Sequence, residues 1–181
     1  QVIVTGNGLA SMGYCLSGAI GASLGHPGRR TVMIEGDGGF SQNLQELSTV
    51  AINDLNLKIF LFCNEGYGSI RMVQKNYFDG EYLGCDTSTG LGFPDWEKLF
   101  AAFDIRTCQI GSEWTSDPEV LELFNDRGPA AFIVPVDPLQ TYWPRITSRV
   151  TESGSMESNP LYQMTPDLPE DLATRVLRHL T

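Results

Sequence analysis

The chain has 181 residues, 41% of them hydrophobic, which is the size and apolar content of one globular domain. Its formal net charge of -10 argues against a nucleic acid or an anionic membrane surface as a partner, because both require a basic face. The sequence contains neither a long apolar run nor a basic N-terminal leader, and its four scattered cysteines form no CxxC pair. We therefore expect a cytoplasmic protein with reduced thiols.

The predicted elements of the first half alternate between strand and helix. An apolar segment, Val2 to Thr5, predicts the first strand, and a small-residue stretch from about Met12 to Leu24 predicts a helix. The next apolar run, Thr31 to Ile34, ends in the turn Gly36-Asp37-Gly38-Gly39. A second helical pattern is predicted to start after Gly39.

Leu57 to Cys63 is almost wholly apolar, as expected for a central parallel strand that is covered on both faces. It ends at Asn64-Glu65-Gly66-Tyr67-Gly68, and a helix is predicted from near Gly68. Further elements are a helix at 94–103, a strand at 105–110, a helix at 118–124, a strand at 130–136 and an amphipathic helix from about Leu168 to Leu180.

This alternation predicts a doubly wound, mostly parallel α/β sheet with helices on both faces, over residues 1–140. Residues 141–181 are predicted to form a C-terminal tail whose short helix packs on the domain or on a partner. Ligands of such sheets bind beyond the carboxyl ends of the strands, where both Gly-rich turns fall.

The two turns offer ligands for a metal ion and a phosphate. Asp37 follows one strand and Asn64 the next, so adjacent parallel strands would place a carboxylate beside an amide oxygen, as Mg²⁺ prefers. The helices predicted after Gly39 and near Gly68 would present free N–H groups at the same edge. The sequence therefore predicts a magnesium and diphosphate site despite its acidity.

The segment EGDGGFSQNLQELSTVAINDLNLKIFLFCNEGYGSIR resembles the signature of the thiamine-diphosphate-dependent enzymes, a GDG followed after a set interval by Asn. NGLASMGYCLSGAIGA is similar to the pyrimidine-side segment of the same family. YGSIR, TGLGFPDWEKLFAAFDI and ESGSMESNPLYQM resemble the acetolactate-synthase-like group. The resemblance implies the diphosphate-binding domain of a homo-oligomeric enzyme that acts on 2-oxo acids such as pyruvate, as a carboligase or a decarboxylase.

By this resemblance, Asp37 and Asn64 bind Mg²⁺ through their side chains and Gly66 binds it through its carbonyl. Met12 holds the thiamine diphosphate in a V shape, and the Ala10 carbonyl accepts a hydrogen bond from its aminopyrimidine. The other implied cofactor contacts are Ser11, Gly36, Gly38, Gly39, Tyr67, Gly68, Ser69 and Ile70. The family's catalytic Glu belongs to a separate pyrimidine-binding domain of the same or another subunit, so the chain is expected to contain no catalytic residue and to be inactive alone.

Two alternatives stay open. The turn Gly6-Asn7-Gly8 between a predicted strand and a helix gives a GxGxx pattern, with Ser11 in place of the third glycine, and Glu35 ends the next strand where a ribose ligand would lie in a Rossmann-type NAD-binding domain. The chain could also be a non-catalytic cofactor-binding module. His26 and His179 are assigned no catalytic role.

Overall fold

The computed structural model describes residues 1–6, 8–160 and 162–178, so Asn7, Leu161 and the last part of the predicted C-terminal helix, with His179 and Leu180, lie outside the described residues. The chain divides into two compact units, Gln1–Leu139 and Gln140–Thr181. Among the helices that the structure describes, none is long and apolar enough to cross a bilayer.

The first unit is built on one parallel sheet. Its strands are β1 (Thr31–Gly36), β2 (Leu57–Cys63), β3 (Arg106–Gln109) and β4 (Ala130–Pro135), in the spatial order β1-β2-β4-β3. All three neighbouring pairs are parallel. The carboxyl ends of the strands therefore meet at one edge of the sheet, as predicted.

Six helices accompany this sheet: α1 (Tyr14–Gly25), α2 (Asp37–Phe40), α3 (Leu47–Ile52), α4 (Gly68–Tyr77), α5 (Trp96–Ala101) and α6 (Pro118–Asn125). Side chains of α1, α2, α3 and α5 form one core with Leu57, Ile59 and Leu61 of β2. Residues of α6 form a second core on the opposite face, against Phe60 of β2 and Phe132 of β4. Helices thus cover both faces, which confirms the predicted fold class.

Helix starts follow local capping chemistry. The Asp95 carboxylate accepts the N–H of Lys98 before α5, and the Asp117 carboxylate accepts two N–H groups before α6, whose first residue is Pro118. α1 begins two residues later than predicted because Gly13 has a φ of 81°, which is left-handed and interrupts the helix before Tyr14.

The prediction of a first strand at Val2 to Thr5 is wrong. These residues have no strand assignment, and the side chains of Val2, Ile3 and Val4 are 67%, 78% and 62% exposed. A β-prone sequence forms a strand only where a neighbouring strand pairs with its backbone. Within the described residues, no such neighbour pairs with this segment.

The helix predicted after Gly39 is divided into α2, a 3-10 turn (Leu44–Glu46) and α3, and it starts at Asp37 rather than after Gly39. The break falls at Asn43, whose φ of -144° is not helical. Its side-chain amide donates to the Ser17 hydroxyl at 2.6 Å and to the Gly13 carbonyl at 3.3 Å. Because of these contacts with residues of α1 and the turn before it, the chain leaves the helical conformation at Asn43.

The second unit contains short strands that the sequence did not predict. β5 (Arg145–Ile146) pairs with β8 (Met164–Thr165), and β6 (Ser148–Val150) pairs with β7 (Met156–Ser158), both antiparallel. α7 (Glu170–Leu177) follows them. Strands of two or three residues are too short to carry a readable alternation of apolar and polar residues.

The aromatic cluster around α2 gives a test of the packing. Phe40 is fully buried, with its ring 5.8 Å from that of Trp96 and 5.6 Å from that of Phe100. Phe40→Ala should lower the free energy of unfolding by about 3–5 kcal/mol, because it leaves a cavity in the core. Phe78→Ala, at a ring that is 59% exposed, should cost less than about 1 kcal/mol. Urea denaturation measures both, and equal losses would contradict the described packing.

Candidate functional site

Three oxygen atoms converge where β1 and β2 end. Asp37 follows β1 and Asn64 follows β2, and the paired strands place Gly36 opposite Phe62. The side-chain oxygen of Asn64 lies 2.7 Å from the Gly66 carbonyl oxygen and 3.1 Å from Asp37 Oδ1. The two loops therefore bring together the three groups that the sequence predicts as metal ligands.

Hydrogen-bond acceptors this close together repel one another unless a hydrogen-bond donor or a cation lies between them. If the Asn64 amide is turned around, its nitrogen donates to both neighbouring oxygens. In the orientation described above, a cation would take the place of these two hydrogen bonds. Neighbouring ligands of an octahedral Mg²⁺ lie about 2.9 Å apart, since each is about 2.1 Å from the metal. The two distances from the Asn64 amide, 2.7 and 3.1 Å, are close to that value.

Asp37 is fixed by the backbone around it. Its side chain is almost fully buried, and its two oxygens accept the N–H groups of Gly38 and Glu65, each at 2.8 Å. Burial raises the pKa of the Asp37 carboxyl, while the backbone hydrogen bonds, that from Glu65 foremost, oppose the rise. A divalent cation beside this carboxylate would offset the cost of burying its charge.

The ligand types favour a hard cation. One carboxylate, one amide and one carbonyl are oxygen donors, which suit Mg²⁺ or Ca²⁺ better than zinc. Throughout residues 1–6, 8–160 and 162–178, no group of three or more His, Cys, Asp or Glu side chains is placed to hold a metal ion.

The glycines of the two turns allow the loops to approach closely. A Cβ on Gly38 would overlap the Tyr67 ring and lie 3.3 Å from the Gly66 carbonyl oxygen. A Cβ on Gly39 would overlap the Glu35 carboxylate, and one on Gly68 would lie 2.7 Å from the Asn64 amide nitrogen. Neighbouring side chains fill the space that a Cβ would occupy at these three positions.

A pocket of about 270 Å³ adjoins the end of β1. Five of the predicted cofactor contacts line it: Ala10, Ser11, Met12, Gly36 and Gly39. Met12 is 49% exposed, so it is not a core residue. Ala10 has a φ of 48°, a conformation that non-glycine residues rarely adopt and that often marks a functional site.

Of the remaining predicted contacts, Gly38 lies on α2, and the other four lie on the turn that leads into α4 or on its first turn. The Tyr67 hydroxyl accepts a hydrogen bond from the Gln42 side chain at 3.2 Å, Gly68 is the first residue of α4, and Ser69 and Ile70 are exposed on its first turn. The role of each residue as a cofactor contact stays a prediction. The helix start predicted after Gly39 as a source of free N–H groups differs from the prediction. α2 has only four residues, and the Gly38 N–H donates to Asp37.

The structure does not place Glu35 where the Rossmann-type interpretation expects a ribose ligand. Burial raises the pKa of its carboxyl, and hydrogen bonds from the Cys15 thiol and the Gly13 N–H oppose the rise. Its Oε2 atom is buried without a hydrogen-bond partner among the described residues. The carboxyl faces the α1 side of the pocket.

The NAD interpretation also lacks its structural context. No strand precedes Gly6 in the described chain, and α1 starts only at Tyr14, so the turn is not the strand-to-helix junction that a dinucleotide motif requires. Asn7, the middle residue of that motif, lies outside the described residues.

Sequence reasoning missed one feature of the site, the buried pair of Arg71 and Asp86. Their side chains are 7% and 16% exposed, and Arg71 Nε lies 3.4 Å from Asp86 Oδ2. An arginine in the first turn of a helix after a loop is ordinarily solvated, and the acidic partner is distant in sequence. The only local signal is the Asp-x-x-Thr pattern at Asp86, which forms a capping box with Thr89.

Residues 1–134 match a family model described as the thiamine pyrophosphate enzyme, C-terminal TPP binding domain. The chain is 32% identical over 143 residues to the acetolactate synthase isozyme 1 large subunit of Escherichia coli (strain K12), which is 79% of this chain and 25% of that protein. It is 33% identical over 154 residues to the isozyme 2 large subunit of the same organism, covering 85% of this chain and 28% of that protein. The chain thus spans about a quarter of the length of these relatives.

Solved structures share the fold. Benzoylformate decarboxylase from Polynucleobacter necessarius superposes with a TM-score of 0.65 and 21% sequence identity, over 74% of this chain and 25% of that chain. A thiamine diphosphate-dependent 4-hydroxybenzoylformate decarboxylase from Rhodococcus jostii gives a TM-score of 0.61 and 22% identity, over 70% of this chain and 23% of that chain.

The close approach of the two loops predicts a contrast between two glycines. Gly38→Ala should lower the free energy of unfolding by about 1–3 kcal/mol, because its Cβ forces the Tyr67 ring to move. Gly21→Ala, on α1 with open space around the position, should raise it by up to about 1 kcal/mol through helix propensity. Denaturation curves compare the two variants, and a neutral Gly38→Ala would show that the loops are not in contact.

Proposed function

Given that this chain belongs to the thiamine pyrophosphate enzyme family, as its C-terminal TPP binding domain, we propose that it binds thiamine diphosphate through a Mg²⁺ ion. Asp37, Asn64 and the Gly66 carbonyl hold the metal. The observation that carries this proposal is the convergence of their three oxygens, at 2.7 and 3.1 Å, at the carboxyl edge of the sheet.

A cation and backbone N–H groups together allow an acidic chain to bind an anionic ligand. Asp37 contributes one buried carboxylate, and the amide of Asn64 and the carbonyl of Gly66 add no charge, so a divalent ion keeps a net positive charge toward a diphosphate. The start of α4 at Gly68 presents free N–H groups beside it. No cluster of lysines is needed.

The pocket next to the metal site fits the rest of the cofactor. Ala10, Ser11, Met12, Gly36 and Gly39 are among the residues that line it. The Ala10 carbonyl would accept a hydrogen bond from the aminopyrimidine, and Met12 would support the cofactor rings. When bound, thiamine diphosphate supplies the carbon nucleophile that adds to the carbonyl of a 2-oxo acid.

The reaction is proposed for the whole protein, because the curated relatives are about four times as long as the part that matches. The names of those relatives support a carboligase or a decarboxylase acting on a 2-oxo acid such as pyruvate. A pyrimidine-binding domain of the same or another subunit completes the site in a homo-oligomer, so the 181-residue chain alone is inactive. A cytoplasmic location remains a prediction from the sequence.

The metal site gives a direct test. Asp37→Ala removes the only charged ligand, so calorimetric binding of thiamine diphosphate in the presence of Mg²⁺ should weaken by at least about 100-fold. Adding a chelator to the unaltered chain should have a similar effect. Asp167→Ala, at an exposed aspartate of the second unit, should leave the affinity unchanged.

Two results would contradict the assignment. Unchanged affinity in a folded Asp37→Ala protein would remove Asp37 from the site, and binding of thiamine diphosphate that is insensitive to chelator would remove the metal. Metal-independent binding of NAD would instead support the dinucleotide interpretation.

Catalysis is tested on the whole protein. Incubation with pyruvate, Mg²⁺ and thiamine diphosphate should release carbon dioxide, and the product identifies the reaction as carboligation or simple decarboxylation. The Asp37→Ala protein should lose at least about 100-fold in rate at cofactor concentrations that saturate the unaltered enzyme. Cofactor binding without turnover of any 2-oxo acid would favour a non-catalytic binding module.

A further inference from the structure

Arg71 contacts the turn that contains Asn64 and Gly66, two of the three proposed metal ligands. It belongs to the first turn of α4, and its side chain is buried. Its guanidinium donates to the backbone carbonyls of Asn64 at 3.5 Å, of Glu65 at 3.3 Å and of Pro138. One side chain therefore joins the end of β2 to the segment that follows β4.

The turn that Arg71 contacts has an unfavourable backbone conformation. Glu65 has a φ of 59°, which is left-handed and which a residue with a side chain rarely adopts. Its N–H donates to Asp37 Oδ2 at 2.8 Å, while its carbonyl accepts from Arg71. The peptide reversal at Glu65 directs the next carbonyl, that of Gly66, toward the Asn64 side-chain oxygen. Holding this turn requires contacts from outside it.

Asp86 and its neighbour close the other side of the turn. Gly66 forms a single antiparallel bridge with Asp86, and the Tyr67 N–H donates to the Cys85 carbonyl at 2.8 Å. A Cβ on Gly66 would overlap the Arg71 guanidinium and the Cys85 carbonyl. The backbone of Gly66 is thus enclosed between the arginine and the 85–86 segment.

The acidic partner is itself fixed. The Asp86 carboxylate accepts hydrogen bonds from the Ser88 hydroxyl at 2.8 Å and from the Thr89 N–H at 3.0 Å. The same carboxylate forms an ion pair with Arg71, with 3.4 Å between Asp86 Oδ2 and Arg71 Nε. Arg71 is therefore held by the carboxylate of a residue that is not itself a proposed metal ligand and whose backbone pairs with Gly66.

We propose that Arg71 is a positioning residue for the metal site: paired with Asp86, it fixes the Asn64-Glu65-Gly66 turn so that the Asn64 and Gly66 oxygens face the cation before it binds. This inference rests on the proposed function. The planar fork of arginine can donate to several carbonyls at once, whereas the ammonium of lysine cannot reproduce that geometry. Pre-formed ligands bind a metal more tightly, because no ordering is left to occur on binding.

The experiment separates metal affinity from cofactor affinity in the Arg71→Lys chain. Calorimetry should show that the Mg²⁺ concentration for half-maximal binding of thiamine diphosphate rises by about 10-fold or more. The affinity for thiamine diphosphate at saturating Mg²⁺ should change by less than about 3-fold. A general loss of structure would weaken both. Arg106→Lys, at an exposed arginine paired with Glu122 and Asp126, is the matched control and should alter neither.

A second variant keeps the test open if Arg71→Lys does not fold. Asp86→Asn removes the charge that holds the guanidinium and should shift the Mg²⁺ dependence in the same direction. The double variant should be no worse than the more affected single one, because both substitutions act through one contact. A folded Arg71→Lys chain with unaltered Mg²⁺ dependence overturns the positioning role and leaves the proposed function intact. Absence of Mg²⁺-dependent binding in the unaltered chain overturns the proposed function, and the positioning role with it.

Discussion

The parallel pairing of β1 with β2 is the constraint on which the site depends. It aligns Gly36 with Phe62, so that the residues immediately beyond the strands, Asp37 and Asn64, come within contact distance. Because side chains alternate between the faces of a strand, a slip of one residue in this register would send one of them to the wrong face. The apolar cores on both sides of β2 oppose such a slip.

Around that point, the chain uses backbone groups where a more basic protein would use side chains. Asp37 is held by two N–H groups, Gly66 offers its carbonyl, and the start of α4 offers further N–H groups. With a net charge of -10, the chain would need a cation at this edge to bind the proposed diphosphate. The charge of the buried Arg71 is directed to Asp86 and to carbonyl groups, so it shapes the turn instead of adding to a phosphate-binding patch.

Unfavourable backbone conformations occur at the same place. Ala10 lines the pocket with a φ of 48°, and Glu65 lies between Asn64 and Gly66, two of the proposed metal ligands, with a φ of 59°. Residues in this region of conformational space persist only when surrounding contacts fix them. For Glu65 those contacts are visible on both sides, in Asp37 at its N–H and in Arg71 at its carbonyl. The rigid sheet and the buried ion pair thus support a local geometry that the turn would not adopt alone.

The sequence by itself determined the elements whose signals are local. β2 has the predicted bounds because the run LKIFLFC is almost wholly apolar and is bounded by Asn56 and Asn64, and α6 begins where Asp117 and Pro118 indicate. The Asp37 and Asn64 pair could be predicted because each residue directly follows an apolar run that forms a strand. Tertiary structure decided the rest. Val2 to Thr5 is not a strand because strand pairing requires a neighbouring strand. The helix predicted after Gly39 is interrupted because Asn43 donates hydrogen bonds to Gly13 and Ser17. Arg71 is buried because its guanidinium pairs with Asp86. These outcomes depend on contacts between residues that are distant in sequence, so no pattern within a single segment contains them.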